Sequence, residues 1–229
     1  MKDAIVAIDG PAGAGKSSAA RRLAQRLGYV LIDTGALYRA VALAAKERGV
    51  SWDDGEALGR LTAALDLRFA PPEGEDGRPP LLLDGVDRSA DIRTPEISQG
   101  ASRVSAHPPV RAALLGVQRA MGEAGGVVLE GRDIGTVVFP RADVKVFLTA
   151  SLEARVGRRF DELTEGGAAA DREAVRSEMS TRDARDSGRE VAPLKPADDA
   201  VLLDTTELGL DGVVDRLVEI VREAGFSAR

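Results

Sequence analysis

One short stretch constrains this chain more than any other: an apolar run that passes directly into a glycine-rich loop. Ala4 to Ile8 is uniformly apolar, the pattern of a strand buried on both faces. Gly10 to Ser17, GPAGAGKS, then fits G-x-x-x-x-G-K-[ST] at every fixed position. Glycines let successive backbone N–H groups turn toward phosphate oxygens, a lysine reaches the β- and γ-phosphates, and a hydroxyl ligates Mg²⁺. Beyond the loop, Ala19, Ala20, Leu23, Ala24 and Leu27 fall on one helical face, so a helix N-terminus with its partial positive charge meets the same anion. Gly10, Pro11, Ala12, Gly13, Ala14, Gly15, Lys16, Ser17 and Ser18 are therefore assigned to the phosphates of a nucleoside triphosphate, with Lys16 also catalytic and Ser17 also a metal ligand.

Composition narrows the chemistry. The chain has 229 residues, 44% of them hydrophobic, ordinary for one α/β domain with insertions. No apolar run approaches the ~20 residues that cross a bilayer, and the N-terminus enters the first strand without a signal-like region, so a cytoplasmic protein that does not engage membranes is expected. Cysteine is absent and His107 is the one histidine, which leaves no material for disulfides, zinc centres or histidine-based hydrolytic triads. His107, before Pro108 and Pro109, reads as a structural helix-entry residue. A net charge of −6 without a lysine-rich run argues against a nucleic-acid polymer as partner. Nothing advertises an interface, and a monomer is expected. The absence of asparagine and excess of Arg over Lys fit a heat-adapted source and, equally, coding bias.

Taken in order, Tyr29 to Asp33 is a second buried strand, completing a βαβ unit, and ligands in such sheets collect beyond the carboxyl ends of strands. Thr34, suited to cap the next helix, and Arg39, about one and a half turns along it, should face the cleft. Helical signal runs to about Arg48 and again from Asp53 to Leu65. Leu65 to Ala70 and Leu81 to Asp84 then read as a hairpin inserted into the alternation, joined by the acidic, proline-rich segment 71–80. Ile97 to Met121 is helical with a break at residues 107–109 and carries Ser102, Arg103 and Arg111. Val127 to Leu129 is a third strand, with Glu130, Arg132 and Asp133 emerging at its end. Glu130 there is the candidate for a Walker-B-like role on Mg²⁺. Val144 to Thr149 and Ala200 to Thr205 supply a fourth and fifth strand, and Leu210 to Ala224 a closing helix.

Between the last two strands lie two charged helical stretches, Leu152 to Glu165 and Arg172 to Gly188. Arg155 and Arg159 share a face on the first, as do Arg182, Arg185, Asp186 and Arg189 across the second and its end. Alone, that is a solvated surface; hung over a phosphate-binding loop, it is what a phosphoryl-transfer lid needs. The shortage of general bases fits one acceptor in particular. A phosphate monoester has its second pKa near 6 and is already a nucleophile at neutral pH. The task left is to position two anions and neutralise their repulsion, work for arginines, lysine and Mg²⁺.

IDGPAGAGKSS, DTGALYR, EGRDIGTVVFP and TRDARDSGR with VAPL resemble bacterial cytidylate kinases, over essentially the whole chain in order. The resemblance implies a P-loop three-layer α/β/α fold with a five-stranded parallel sheet. It also implies a nucleoside monophosphate lobe at 35–122, enlarged by the insert around 66–96, and a helical lid at 152–190. The reaction it implies carries the γ-phosphoryl group of ATP to CMP or dCMP with Mg²⁺. Its roles place Thr34, Arg39, Arg132 and Arg189 on the acceptor phosphate, Ser102, Arg111 and Asp133 on the cytosine, and Arg182 and Asp186 on the sugar. Lys16, Arg132, Asp133, Arg182 and Arg189 form the catalytic set, Arg155 and Arg159 join the ATP side, and Ser17 and Glu130 hold the metal. Asp133 suits cytosine because its amine donates, whereas uracil presents a carbonyl oxygen there. Two departures stand out: Thr34 replaces a more usual serine, and Glu130 a more usual aspartate. Three rivals are weaker. A guanine switch needs N-K-x-D, impossible without asparagine; a shikimate-kinase-type enzyme would not need the insert; a silent ATP-binding module has no heptads, repeats or long exposed apolar stretch behind it.

Overall fold

A computed structural model describes residues 3–72, 77–167 and 169–227; the middle of the proline-rich tip, residues 73–76, lies outside them. The strands are β1 (Ile5–Asp9), β2 (Val30–Asp33), β3 (Leu67–Phe69), β4 (Leu81–Leu83), β5 (Val86–Asp87), β6 (Val127–Gly131), β7 (Val144–Thr149) and β8 (Val201–Asp204). The helices are α1 (Lys16–Leu27), α2 (Thr34–Glu47), α3 (Gly55–Ala64), α4 (Pro95–Val104), α5 (Pro108–Gly122), α6 (Leu152–Glu165), α7 (Arg172–Ser187) and α8 (Leu210–Glu223).

The main sheet is parallel, in the order β2-β6-β1-β7-β8. Alternate residues of β1 face opposite layers, as the pleat demands. Val6 and Ile8 pack with Leu23, Leu27, Leu217 and Val221 of α1 and α8. Ala7 joins Ile32, Leu129 and Ile134 on the other face. Helices on both sides make the three layers, and the run of apolar residues in β1 follows from burial on both faces. The chain leaves β1 in one direction for β2 and β6 and later returns on its other side with β7, so the carboxyl end of β1 is a topological switch point.

The inserted hairpin exists, with β3 antiparallel to β4, but a third strand, β5, extends it through the turn at Asp84 and Gly85. This small sheet shares its own core with α2, α3, α4 and α5 through Leu58, Leu81, Leu83, Ile97 and Leu114. The helical pair α6 and α7 buries only a small cluster, Val156, Val175 and Met179, with Leu152 and Leu163 beside it. Little apolar area fastens that pair to itself.

Candidate active site

Gly10 opens the loop after β1 at φ 147, and a Cβ there would lie 2.0 Å from the Leu148 carbonyl oxygen, so no other residue fits. Gly15, at φ 85, is the N-cap of α1 and makes no side-chain cap bond. The first N–H groups of α1 are thus left for an anion. Lys16, 6% exposed, lies against the loop with Nζ donating to the Pro11 carbonyl at 2.6 Å. Burial, and after it the charge of Arg132, push its ammonium well below the ordinary lysine value.

The loop forms one wall of a cleft of about 620 Å³ that also collects residues from β2, α2, α4, α5, β6, α6, α7 and the β8–α8 loop. Ser17 Oγ donates to Glu130 Oε2 at 2.8 Å. Burial raises the Glu130 carboxyl to about 7, with the neighbouring charge of Asp33 adding to the effect. Desolvation opposes ionisation of the half-buried Asp33, but the charge and hydrogen bond of Arg39 hold it below the usual carboxylate value; the pair is 2.6 Å apart. Asp33, rather than Thr34, caps α2 by accepting from the Ala36 N–H at 3.0 Å. Thr34 stands one residue later, inside the helix, and its hydroxyl donates to the Glu130 carbonyl at 2.7 Å, pinning the start of α2 to β6.

Across the cleft, Arg111 of α5 pairs with Asp133, and both side chains are buried. Arg111 also donates to the Ser105 carbonyl at 3.2 Å and lies over the Tyr38 ring, 5.5 Å from its centroid. Ser102 of α4 accepts from Arg185 of α7 at 2.8 Å. Arg132 meets Asp186 at 3.1 Å, so Asp186 pairs across the cleft rather than along its own helix. Burial, then the charge of Arg132, lowers Arg182 to about 10. Burial also lowers Arg189, whose Nε donates to the Asp186 carbonyl at 3.3 Å. Among the cleft's described residues, three buried guanidinium nitrogens, Arg39 Nε, Arg182 Nε and Arg189 Nη2, have no hydrogen-bond partner. Such groups carry a full desolvation cost until an acceptor arrives.

Lys16, Ser17, Thr34, Arg39, Ser102, Arg111, Glu130, Arg132, Asp133, Arg159, Arg182, Asp186 and Arg189 thus line one cleft, together with Ala12, Gly13, Ala14, Gly15 and Ser18 of the loop. Gly10 and Pro11, expected to join them, do not line the cleft: Gly10 is packed against the Leu148 carbonyl and Pro11 accepts from Lys16. Arg155 sits elsewhere: its guanidinium donates to the Ala12 carbonyl at 3.2 Å and the Ala150 carbonyl at 3.1 Å, and pairs with Asp183 at 2.7 Å. It braces the loop against α7 and does not line the cleft. Arg158 lines it beside Arg159, and Arg158 Nη1 donates to Thr205 Oγ1 at 3.0 Å while that hydroxyl lies 3.2 Å from the Ala14 carbonyl. Thr205, Leu208, Leu210 and Val213 line the cleft beside it. Sequence reasoning missed these, although the strand-end rule that selected Thr34 and Glu130 applies equally after β8.

A P-loop α/β kinase architecture, with donor loop and arginine-rich opposite wall facing one cleft, is the class that fold and site define. The comparisons narrow it: the cytidylate kinase family model matches residues 6–223, and the chain belongs to that family. A cytidylate kinase of Syntrophotalea carbinolica is 55% identical over 219 residues, covering 96% of this chain and 92% of its own. One of Pseudomonas aeruginosa is 50% identical, covering 97% and 96%. Among solved structures, an uncharacterized protein from Eubacterium ventriosum superposes with a TM-score of 0.53 at 11% identity over 96% of this chain and 99% of its own, a likeness of fold alone.

Proposed function

We propose that this cytidylate kinase family member transfers the γ-phosphoryl group of ATP to CMP or dCMP, giving ADP and CDP or dCDP, by charge neutralisation without a general base. The observation that carries the reading is the set of partnerless buried nitrogens on Arg39, Arg182 and Arg189 in the cleft that holds Lys16. Cations this close, with Arg182 and Lys16 both shifted toward losing their protons, call for anionic ligands. The three buried carboxylates of the cleft and the partly exposed Asp33 are already engaged: Asp33 with Arg39, Glu130 with Ser17, Asp133 with Arg111 and Asp186 with Arg132. An acceptor that is already a phosphate dianion needs none of them as base.

In this reading the loop N–H groups and Lys16 hold the donor phosphates, and Arg158 with Leu208, Leu210 and Val213 provides a slot for the donor base. Arg39, Arg132 and Arg189, with Thr34, hold the acceptor phosphate in line. Asp133, steadied by Arg111, and Ser102 accept from the cytosine amine, and Arg182 with Asp186 reaches the sugar. The helices α6 and α7 act as a lid, and the segment 35–122 as the acceptor lobe. Ser17 and Glu130 fit Mg²⁺: both offer hard oxygen atoms, and the Ser17 hydroxyl stands 2.8 Å from the Glu130 carboxylate, so one ion could meet both. Among the described residues no three His, Cys, Asp or Glu side chains converge as ligands, which suits an ion completed by phosphate oxygens and water. When bound, Mg²⁺ supplies neutralisation of phosphate charge. The chain's own residues orient the nucleotides and exclude water.

The test is ADP formation from ATP and Mg²⁺ with CMP, dCMP, UMP, AMP or shikimate. CMP and dCMP are expected to be turned over fastest, and Asp133→Ala to erode the preference for CMP over UMP. Equal rates on all nucleotides, or transfer to shikimate, would overturn the reading.

A further inference from the structure

Asp9 is the last residue of β1, one position before the phosphate loop, and is 5% exposed. Its two carboxylate oxygens are both used: Oδ1 accepts from the Ile134 N–H at 2.8 Å and Oδ2 from the Gly135 N–H at 2.7 Å. These two N–H groups open a single π-type turn, Ile134–Val138, closed where the Val137 and Val138 N–H groups return to the Asp133 carbonyl at 2.9 and 3.2 Å. The first N–H groups of any helical turn lack internal partners and are ordinarily served by the side chain of the N-cap residue. Here the N-cap is Asp133, and its side chain makes no capping bond. Its carboxylate is paired with Arg111 in the cleft instead.

We propose that Asp9 is a positioning residue that caps this turn in place of Asp133, freeing the Asp133 carboxylate for the acceptor base and setting Arg132 beside it. One side chain at the root of the donor loop then fixes the geometry of the acceptor wall. The inference rests on the reading that Asp133 and Arg132 engage the acceptor nucleotide. Burial raises the Asp9 carboxyl to about 6 against the pull of the Gly135 and Ile134 hydrogen bonds, with Asp133 raising it further and Lys16 lowering it. Above that value it is the ionised acceptor that both N–H groups need. Gly135 borders the device: a Cβ there would lie 3.2 Å from the Lys145 side chain, a tight approach, and 3.4 Å from Asp9 Oδ2, an ordinary contact.

Asp9→Asn keeps the size but turns one acceptor into a donor aimed at an N–H. The expected result is a KM for CMP raised about tenfold, the size of a lost cap, with a weaker preference for CMP over UMP. The KM for ATP should stay within about twofold, and unfolding should stay cooperative. Equal changes on both nucleotides, or no change on either, would overturn the proposal. Should Asp9→Asn fail to fold, Gly135→Ala presses the capped turn from its Lys145 side without altering charge and is read by the same split between CMP and ATP. Asp133→Ala is measured alongside. If it loses base preference while Asp9→Asn or Gly135→Ala keeps it, the inference about Asp9 fails alone. If Asp133→Ala keeps its preference, the reading of Asp133 falls and takes the inference with it.

Discussion

The two halves of the cleft are built in opposite ways. The half proposed to hold the donor is one consecutive stretch, the loop Gly10 to Ser18 whose residues from Ala12 on line the cleft, and its binding groups would be mostly backbone N–H. One buried cation, Lys16, is stored on the Pro11 carbonyl. The acceptor half is made of side chains from β2, α2, α4, α5, β6 and α7, held as opposed charges: Arg39 with Asp33, Arg111 with Asp133, Arg132 with Asp186. A backbone cradle needs only glycine at the right places and is indifferent to the base that follows the phosphates. A wall of paired charges is held in register by the fold, and each pair leaves an uncompensated partner if one member is removed. On the proposed reading, generic affinity lies on one side and selectivity on the other.

The largest effect that would sharpen this contrast is on the donor side. Lys16→Ala is expected to lower kcat by about 10³-fold or more, as loss of a charge-stabilising group at a transferring phosphate does; a coupled ADP assay reads it, and near-normal turnover would break the donor assignment. Arg132→Ala comes next, lowering kcat/KM for CMP by about 10²-fold while ATP binding, followed by titration, changes little; a parallel loss on ATP would mean the halves are not separable. Third, Arg158→Ala is expected to raise the KM for ATP by about tenfold, whereas Arg155→Ala, three residues away, should act mainly through stability, at about 3 kcal/mol, by stranding Asp183. Chemical denaturation and ATP kinetics on both variants tell bracing from binding.

The smallest effect is a pH dependence at Asp9. Its folded pKa, about 6, lies above the ordinary 3.8, so its contribution to stability is fully present below pH 3.8 and lost as pH rises through 6. The loss is at most about 3 kcal/mol for a shift of this size. Neutral Asn does not titrate, so the Tm of Asp9→Asn relative to wild type should improve between about pH 4 and pH 7, whatever its offset. A difference that is flat with pH would remove the buried, titrating Asp9.

Much of this was legible beforehand. The five core strands appear at the expected places, with ends displaced by a residue or two: the central β1, β6 and β7 are apolar because both their faces are buried, whereas β8, an edge strand expected to be buried, leaves Val201 and Leu202 exposed. The helices α6 and α7 match their expected spans to within one residue, marked by Ser151 and Asp171 as caps and by the glycines at 166, 167 and 188. The third strand of the insert was not legible. Val86 and Asp87 are two exposed residues with no periodicity, paired only because the turn at Asp84 and Gly85 returns them to β4. Nor was the choice between neighbours on a helix: Arg155 and Arg158 differ by less than one turn, and both are charged residues on a lid helix. Which one faces solvent-filled space depends on where the phosphate loop packs.

The sequence by itself determined that a strand would feed a phosphate cradle, that no cysteine or histidine chemistry was available, and that arginines would face the cradle. Each of those follows from residue type and local spacing. Only the tertiary structure decided that Asp33 caps where Thr34 was expected to, that Arg155 braces while Arg158 lines the cleft, and that Asp9 caps a turn more than a hundred residues away. A hydrogen bond between distant residues depends on strand order and register, and no local pattern of side chains encodes those.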